Sequence, residues 1–301
     1  MVRRNDGTVF FGSQERVWRV DPNGAVTDMG FGAWALARDA SDNVYVATSK
    51  STWDGKAYVP VQRAILRIER DGKLKMVSQL EAGVEGMAVD RKGAVYLLIA
   101  GTPRAYIDRV APDGSRSQWT RLDRVSEHTN NWALNAFVVD SRGNLYLAGW
   151  GAVLKIDSAN RTASAFAGRE QDRLGTPRDG RGQEAELGAY VTRMTIDLND
   201  NLYVAMHSSD SWLRKITPDA MVSTLAGGGD GGKRWVDYAV VSNELVDGDI
   251  RGQLLYPHST MDVDALGNVY FLQCAVNALR RITPQGRVET LLRGRLNPPG
   301  W

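Results

Sequence analysis

Cysteine is almost missing from this chain: Cys274 is the single one among 301 residues, which excludes an internal disulfide, a Cys-rich metal site and a CxxC redox motif. Long apolar runs are missing too. No stretch approaches the roughly eighteen consecutive apolar residues that cross a bilayer, and the opening MVRRNDGTVFFG lacks the apolar core of a signal peptide. A cytoplasmic location is therefore expected if Met1 is the native start, and an exported mature domain if a leader has been removed. Neither sign of charge dominates, with 37 Lys plus Arg against 35 Asp plus Glu and a formal charge of +2, and no dense basic run exists to hold a phosphate backbone. Nucleic acid is not an expected partner, and neither is a membrane. There is no GxSxG elbow, HExxH, Walker loop or dinucleotide fingerprint, and GGGDGG from Gly227 has no helical pattern after it and reads as a flexible loop.

What is abundant is short strand-and-turn material, with 31 glycines and 43% hydrophobic residues. One phrase recurs: an apolar alternation ending in Asp, a short turn, then Gly or Asn, an apolar residue and an aromatic. It runs as ARDASDNVYVA from Ala37, AVDRKGAVYLL from Ala88, VVDSRGNLYLA from Val138, TIDLNDNLYVA from Thr195 and DVDALGNVYFL from Asp262, with a degenerate copy NDGTVFFG from Asn5. Each copy reads as two strands joined by a hairpin. A third strand follows, as in ILRIE from Ile65, VLKID from Val153 or ALRRI from Ala278, and then a turn such as RDG at Arg70 and a fourth apolar run such as VSTLAG from Val222. A single four-stranded sheet cannot bury both of its faces, so about six copies must pack side by side. The expected fold is all-β: a six-bladed β-propeller of four-stranded antiparallel blades, forming one domain over residues 1–301. The first copy starts so close to Met1 that little room is left for its innermost strand, so the expectation is either a front that has been trimmed, with or without a leader, or a blade completed from elsewhere.

These repeats resemble the NHL family over nearly the whole chain. The resemblance rests on AFAG at Ala165–Gly168, DGRGQEAEL from Asp179, STLAG at Ser223–Gly227 and YPHSTMDVD from Tyr256, which match the family's Leu-Ala-Gly, DG-x-G-x-x-A and Tyr-Pro phrases. It implies a small-molecule ligand or, alternatively, a protein partner docked on a sensor or interaction module.

In such a fold the loops entering the innermost strands share a face with those leaving the second strands, and ligands favour that concave mouth. All three histidines map there: His128, His207 and His258. Three neutral imidazoles with an open fourth position suit Zn²⁺, and the NHL-like peptidyl-hydroxyglycine lyases place three histidines around a channel metal. Each is equally read as a lone loop histidine. A second group comes from the starts of the inner strands: Trp34, Glu85, Asn135, Arg193 and Asp262. Oxygen donors of this kind suit Ca²⁺, and gluconolactonase-like propellers are similar in placing Glu, Asn and Asp there. Glu85 also reads as a general base, or as a salt-bridge partner of Arg193. The long segment TSKSTWDGKAYVPVQR from Thr48 is expected to lie over the mouth as a lid carrying Trp53, and Trp150 stands beside another loop. The expected activity is a lyase, hydrolase or cyclisation step, aided by a divalent metal, with His128, His207, His258 and Glu85 as ligands or acid–base groups. Asn135, Arg193 and Asp262 would position the ligand between the walls Trp34, Trp53 and Trp150.

Overall fold

The fold is taken from a computed structural model, which describes residues 1–13, 15–53, 58–81, 83–99, 105–122, 136–149, 151–169, 177–188, 190–207, 212–227, 247–249, 260–273 and 278–293. Six antiparallel sheets follow one another along the chain. Blade one contains β1 (Val2–Arg3), β2 (Val9–Gly12), β3 (Val17–Val20) and β4 (Val26–Asp28). Blade two contains β5 (Ala33–Arg38), β6 (Val44–Trp53), β7 (Tyr58–Ile68) and β8 (Leu74–Gln79), and blade three β9 (Val84–Val89), β10 (Val95–Ile99), β11 (Tyr106–Val110) and β12 (Arg116–Arg121). Blade four is β13 (Ala136–Val139), β14 (Leu145–Ala148), β15 (Ala152–Ile156) and β16 (Ala163–Gly168). Blade five holds β17 (Gly180–Arg181), β18 (Tyr190–Ile196), β19 (Leu202–His207), β20 (Trp212–Ile216) and β21 (Met221–Gly227). Blade six holds β22 (Gly248–Asp249), β23 (Met261–Val263), β24 (Val269–Gln273), β25 (Ala278–Ile282) and β26 (Arg287–Arg293). In each sheet the four main strands pair in sequence order, and this all-β arrangement is that of a six-bladed β-propeller. The first blade does have its own innermost strand: Val2 pairs with Phe10 and Arg3 with Val9.

Two compact units divide the chain, one of residues 1–132, 137–146 and 156–163, the other of residues 133–136, 147–155 and 164–301. Within the first, Val2, Phe10, Val17, Ala33, Val44, Val46 and Ile68 fill the space between blades one and two, and a cluster around Tyr45, Ile65, Leu80, Val84, Leu97 and Ile99 joins blades two and three. Within the second, Tyr203, Leu213, Met261, Val263 and Phe271 join blades five and six. Burying such side chains on both faces of each sheet is the driving force, at about 1.5–3 kcal/mol for each large aliphatic or aromatic residue.

The recurring Asp phrase turns out to be a hydrogen-bonded hairpin. In blade four Asp140 Oδ1 accepts the backbone N–H groups of Arg142 and Asn144 at 2.9 and 2.8 Å, while Oδ2 accepts Asn144 Nδ2–H at 2.8 Å and the Tyr146 hydroxyl at 3.2 Å. Asp39–Asn43–Tyr45, Asp197–Asn201–Tyr203 and Asp264–Asn268–Tyr270 repeat it. The residue three places after each aspartate has positive φ: Asp42 at 69°, Gly143 at 83°, Asp200 at 61° and Gly267 at 80°. That is why the turn admits only Gly or Asp here. Blade one replaces the motif with Arg4, Thr8 and Phe10. The Arg4 guanidinium lies 5.1 Å from the Phe10 ring centroid and donates to the carbonyls of Ile68 and Glu69 in blade two at 2.8 and 2.7 Å.

Among the described residues the segment from Thr48 is strand rather than loop. It extends the β6–β7 hairpin, whose ladder runs out to Trp53 paired with Tyr58 and makes these the longest strands described, at 10 and 11 residues. Pro60 is accommodated where the register shifts, between Lys50 and Ser51.

Candidate functional site

The starts of the innermost strands share a distortion. In blade two Ala33 pairs with Thr48 and Ala35 with Ala47, so Trp34 is an extra, bulged residue. Glu85 is bulged in the same way between Val84, opposite Ile99, and Gly86, opposite Leu98. In blade five Val191 pairs with Met206 and Arg193 with Ala205, which makes Thr192 the bulged residue. A bulge turns one side chain out of the alternation and is a recurrent device beside binding sites. Trp34 is 40% exposed and Glu85 is exposed, whereas Ala33 and Val84 before them are buried.

By this register the counterpart of Trp34 and Glu85 in blade five is Thr192, and Arg193 takes the place of Ala35 and Gly86. Arg193 is half-buried, which lowers its pKa, and its Nη1 donates to the Thr192 carbonyl at 2.6 Å. Asp262 sits further along its strand, where Oδ1 accepts the Val263 N–H at 2.9 Å and the Thr195 hydroxyl at 3.4 Å, linking β23 to β18. Of its counterparts, Ala37 packs against the core between blades two and three, and Ala88 is buried.

His207 ends β19 opposite Tyr190, and Trp53 ends β6. His128, His258, Asn135 and Trp150 lie outside the described residues. Among the described residues no group of three His, Cys, Asp or Glu side chains is placed to hold a metal ion. A shallow cleft of about 370 Å³ on the outer side of blade five is lined by Arg169, Arg181, Gln183 and Glu184, and the Arg181 guanidinium is held there by Asp219 at 2.7 Å.

Sequence reasoning missed a pair of buried arginines. Arg214, on β20, is wholly buried and donates to Asp179 Oδ1 at 2.7 Å and to the Glu186 carbonyl at 3.2 Å, while the Thr224 hydroxyl also bonds Asp179. Blade six repeats this with Arg280, Asp247 and Thr290. Each aspartate immediately precedes the glycine that opens the two-residue outer strand β17 or β22, so the ion pair pins that strand against β21 or β26. The signal was present in the sequence as Asp-Gly at Asp179 and again at Asp247, together with Arg at the third place of WLRKI and ALRRI.

The hairpin tyrosines carry the clearest titration shift. Burial, and then the charge of Asp39, pushes the Tyr45 hydroxyl from 10.0 up to about 12. Burial likewise raises Tyr203, beside Asp197, and Tyr96. The fold therefore holds these phenols protonated, and at Tyr45 the stabilising contribution is complete below pH 10 and is lost as pH rises toward about 12. A shift of this size removes roughly 1–3 kcal/mol at Tyr45 over that interval. Alkaline unfolding followed by circular dichroism should coincide with the rise of tyrosinate absorbance, and Tyr45→Phe should move the midpoint to higher pH.

No protein-family model and no curated protein matches the chain. Solved structures do. A protein of unknown function from Bacteroides thetaiotaomicron matches with a TM-score of 0.66 at 18% identity, over 95% of this chain and 68% of that one. An auxiliary nutrient binding protein from Bacteroides ovatus matches with 0.58 at 18% identity, over 94% and 65%. A catalytically inactive virginiamycin B lyase from Staphylococcus aureus, solved with quinupristin, matches with 0.50 at 12% identity, over 97% and 74%. The likeness is one of fold. It joins this chain to six-bladed β-propellers that differ widely in what they bind.

Proposed function

We propose that residues 1–301 form one NHL-type propeller domain that binds a small-molecule substrate at the starts of its innermost strands. The observation that carries this is the bulge found in the same place in blades two, three and five, which turns out Trp34 and Glu85 and leaves Thr192 half-buried, while Ala33, Val84 and Val191 before them are buried in the core. The Asp-Gly strands β17 and β22 support the NHL reading, since both repeats use that dipeptide in one structural role. Nutrient binding and lyase propellers among the structural relatives are consistent with a ligand-binding use of the fold.

In this reading Trp34, Trp53 and Trp150 wall the ligand, Asn135, Arg193 and Asp262 position it, and Glu85 is the base for a lyase, hydrolase or cyclisation step. His128, His207 and His258 are ligands or acid–base groups. Zn²⁺ or Ca²⁺ would supply Lewis acidity if held by these residues. A metabolite library screened by thermal shift should give hits on the wild type that Glu85→Gln and His207→Ala weaken. Hits that survive both substitutions would place the site elsewhere.

Docking of a protein partner is a second reading. It is supported by the outer strands of blades one and two, where Val26, Leu74 and Met76 are 57%, 50% and 52% exposed. Loss of binding in Leu74→Glu/Met76→Glu, with Glu85→Gln unchanged, would favour it.

A further inference from the structure

We propose that Trp34 and Glu85 together recognise a small organic cation, a ligand headed by an ammonium group. This names the ligand class for the site proposed above and rests on that reading. The two residues hold equivalent positions, each five places before its hairpin aspartate, Asp39 or Asp90, on strands β5 and β9 that pack against each other. Ala35, Val84 and Met87 belong to one apolar cluster, so the backbone on either side of both bulges is fixed to a shared core. What projects from that rigid base is an indole and a carboxylate.

Their environment selects the ligand. Tryptophan is usually well buried, and one that is 40% exposed at a re-aimed strand start leaves part of its indole open to solvent. Among the described residues Glu85 makes no ion pair or hydrogen bond, so its charge is available. The electron-rich face of an indole attracts a cation within about 6 Å of its centroid, and a neighbouring carboxylate reinforces that preference. A neutral ligand gains only contact area from the same pair, and an anion is repelled.

The test uses three probes of matched length, butylammonium, 1-butanol and butyrate, followed through the indole N–H resonances of ¹⁵N-labelled protein. Trp34→Phe identifies the Trp34 signal among the 9 tryptophans. Butylammonium should shift that signal saturably, and Glu85→Gln should weaken its binding about three-fold or more while leaving the rest of the spectrum unchanged. A shift by 1-butanol as tight as that by butylammonium overturns the cation assignment and leaves a small-molecule site in place. Absence of a saturable shift with all three probes overturns recognition at Trp34 and Glu85, and the wider reading then depends on the metabolite screen alone.

Discussion

Replacing Gly168 by alanine is expected to lower stability by about 3 kcal/mol or more, one of the two largest effects anticipated for a single substitution. Two penalties coincide. Gly168 has φ +70°, a conformation that costs an L-residue about 1–2 kcal/mol. A Cβ there would also lie 2.3 Å from the Gly151 carbonyl oxygen and 2.8 Å from Leu187 Cγ, and the backbone oxygen cannot move without disturbing the start of β15 beside it. Overpacking of this kind adds about 1–3 kcal/mol. Gly24 separates the two terms, because it has φ +85° with nothing within 4 Å of a built Cβ. Gly24→Ala should cost only the conformational part, about 1–2 kcal/mol. Equal urea midpoints for the two variants would show that the close approach at Gly168 relaxes freely.

Asp179→Ala is the second. The Arg214 side chain is 0% exposed and its partner 56% exposed, so removing the carboxylate strands a guanidinium in a medium that solvates it poorly. Burial already lowers the Arg214 pKa, with Asp179 opposing the shift. Breaking a buried pair from one side costs about 3–5 kcal/mol, and the lower end applies here because water reaches the Asp179 side. The double variant Asp179→Ala/Arg214→Met should recover most of the loss, since the cation is gone and its volume is kept. Asp247→Ala in blade six should behave alike through Arg280. Denaturant unfolding decides the matter: an Asp179→Ala protein within about 1 kcal/mol of wild type would mean that Arg214 finds other solvation.

The blade count and strand order were legible because the hairpin phrase is dictated by local chemistry. Asp39, Asp140, Asp197 and Asp264 each need an amide two and four residues later, and Gly or Asp where φ is positive, so the pattern recurs wherever the turn does. Strands β17 and β22 were not legible, because a two-residue strand has no periodicity and Asp-Gly alone reads as a turn. The β6–β7 extension was hidden by Pro60, which normally argues against a ladder but sits at a register shift here. The candidate site was half legible. Trp34, Glu85 and Arg193 were read as starts of inner strands, but which residue is bulged there, Thr192 rather than Arg193 in blade five, leaves no mark in residue type.

One feature of the sheets bears on how the protein behaves in concentrated solution. Among the described residues the outermost strands β4, β8, β12 and β16 have no further partner in their sheets, and such edges are templates on which another chain can polymerise. In β8 and β12, however, the pairing to β7 and β11 skips Val77 and Trp119, so the outer backbone is kinked midway. An incoming strand finds aligned donors and acceptors for only a few residues before the spacing fails. With β4 a mere 3 residues long and β8 and β12 kinked, these three open edges have an intrinsic resistance to fibril growth that does not depend on charge, and so should persist at high salt.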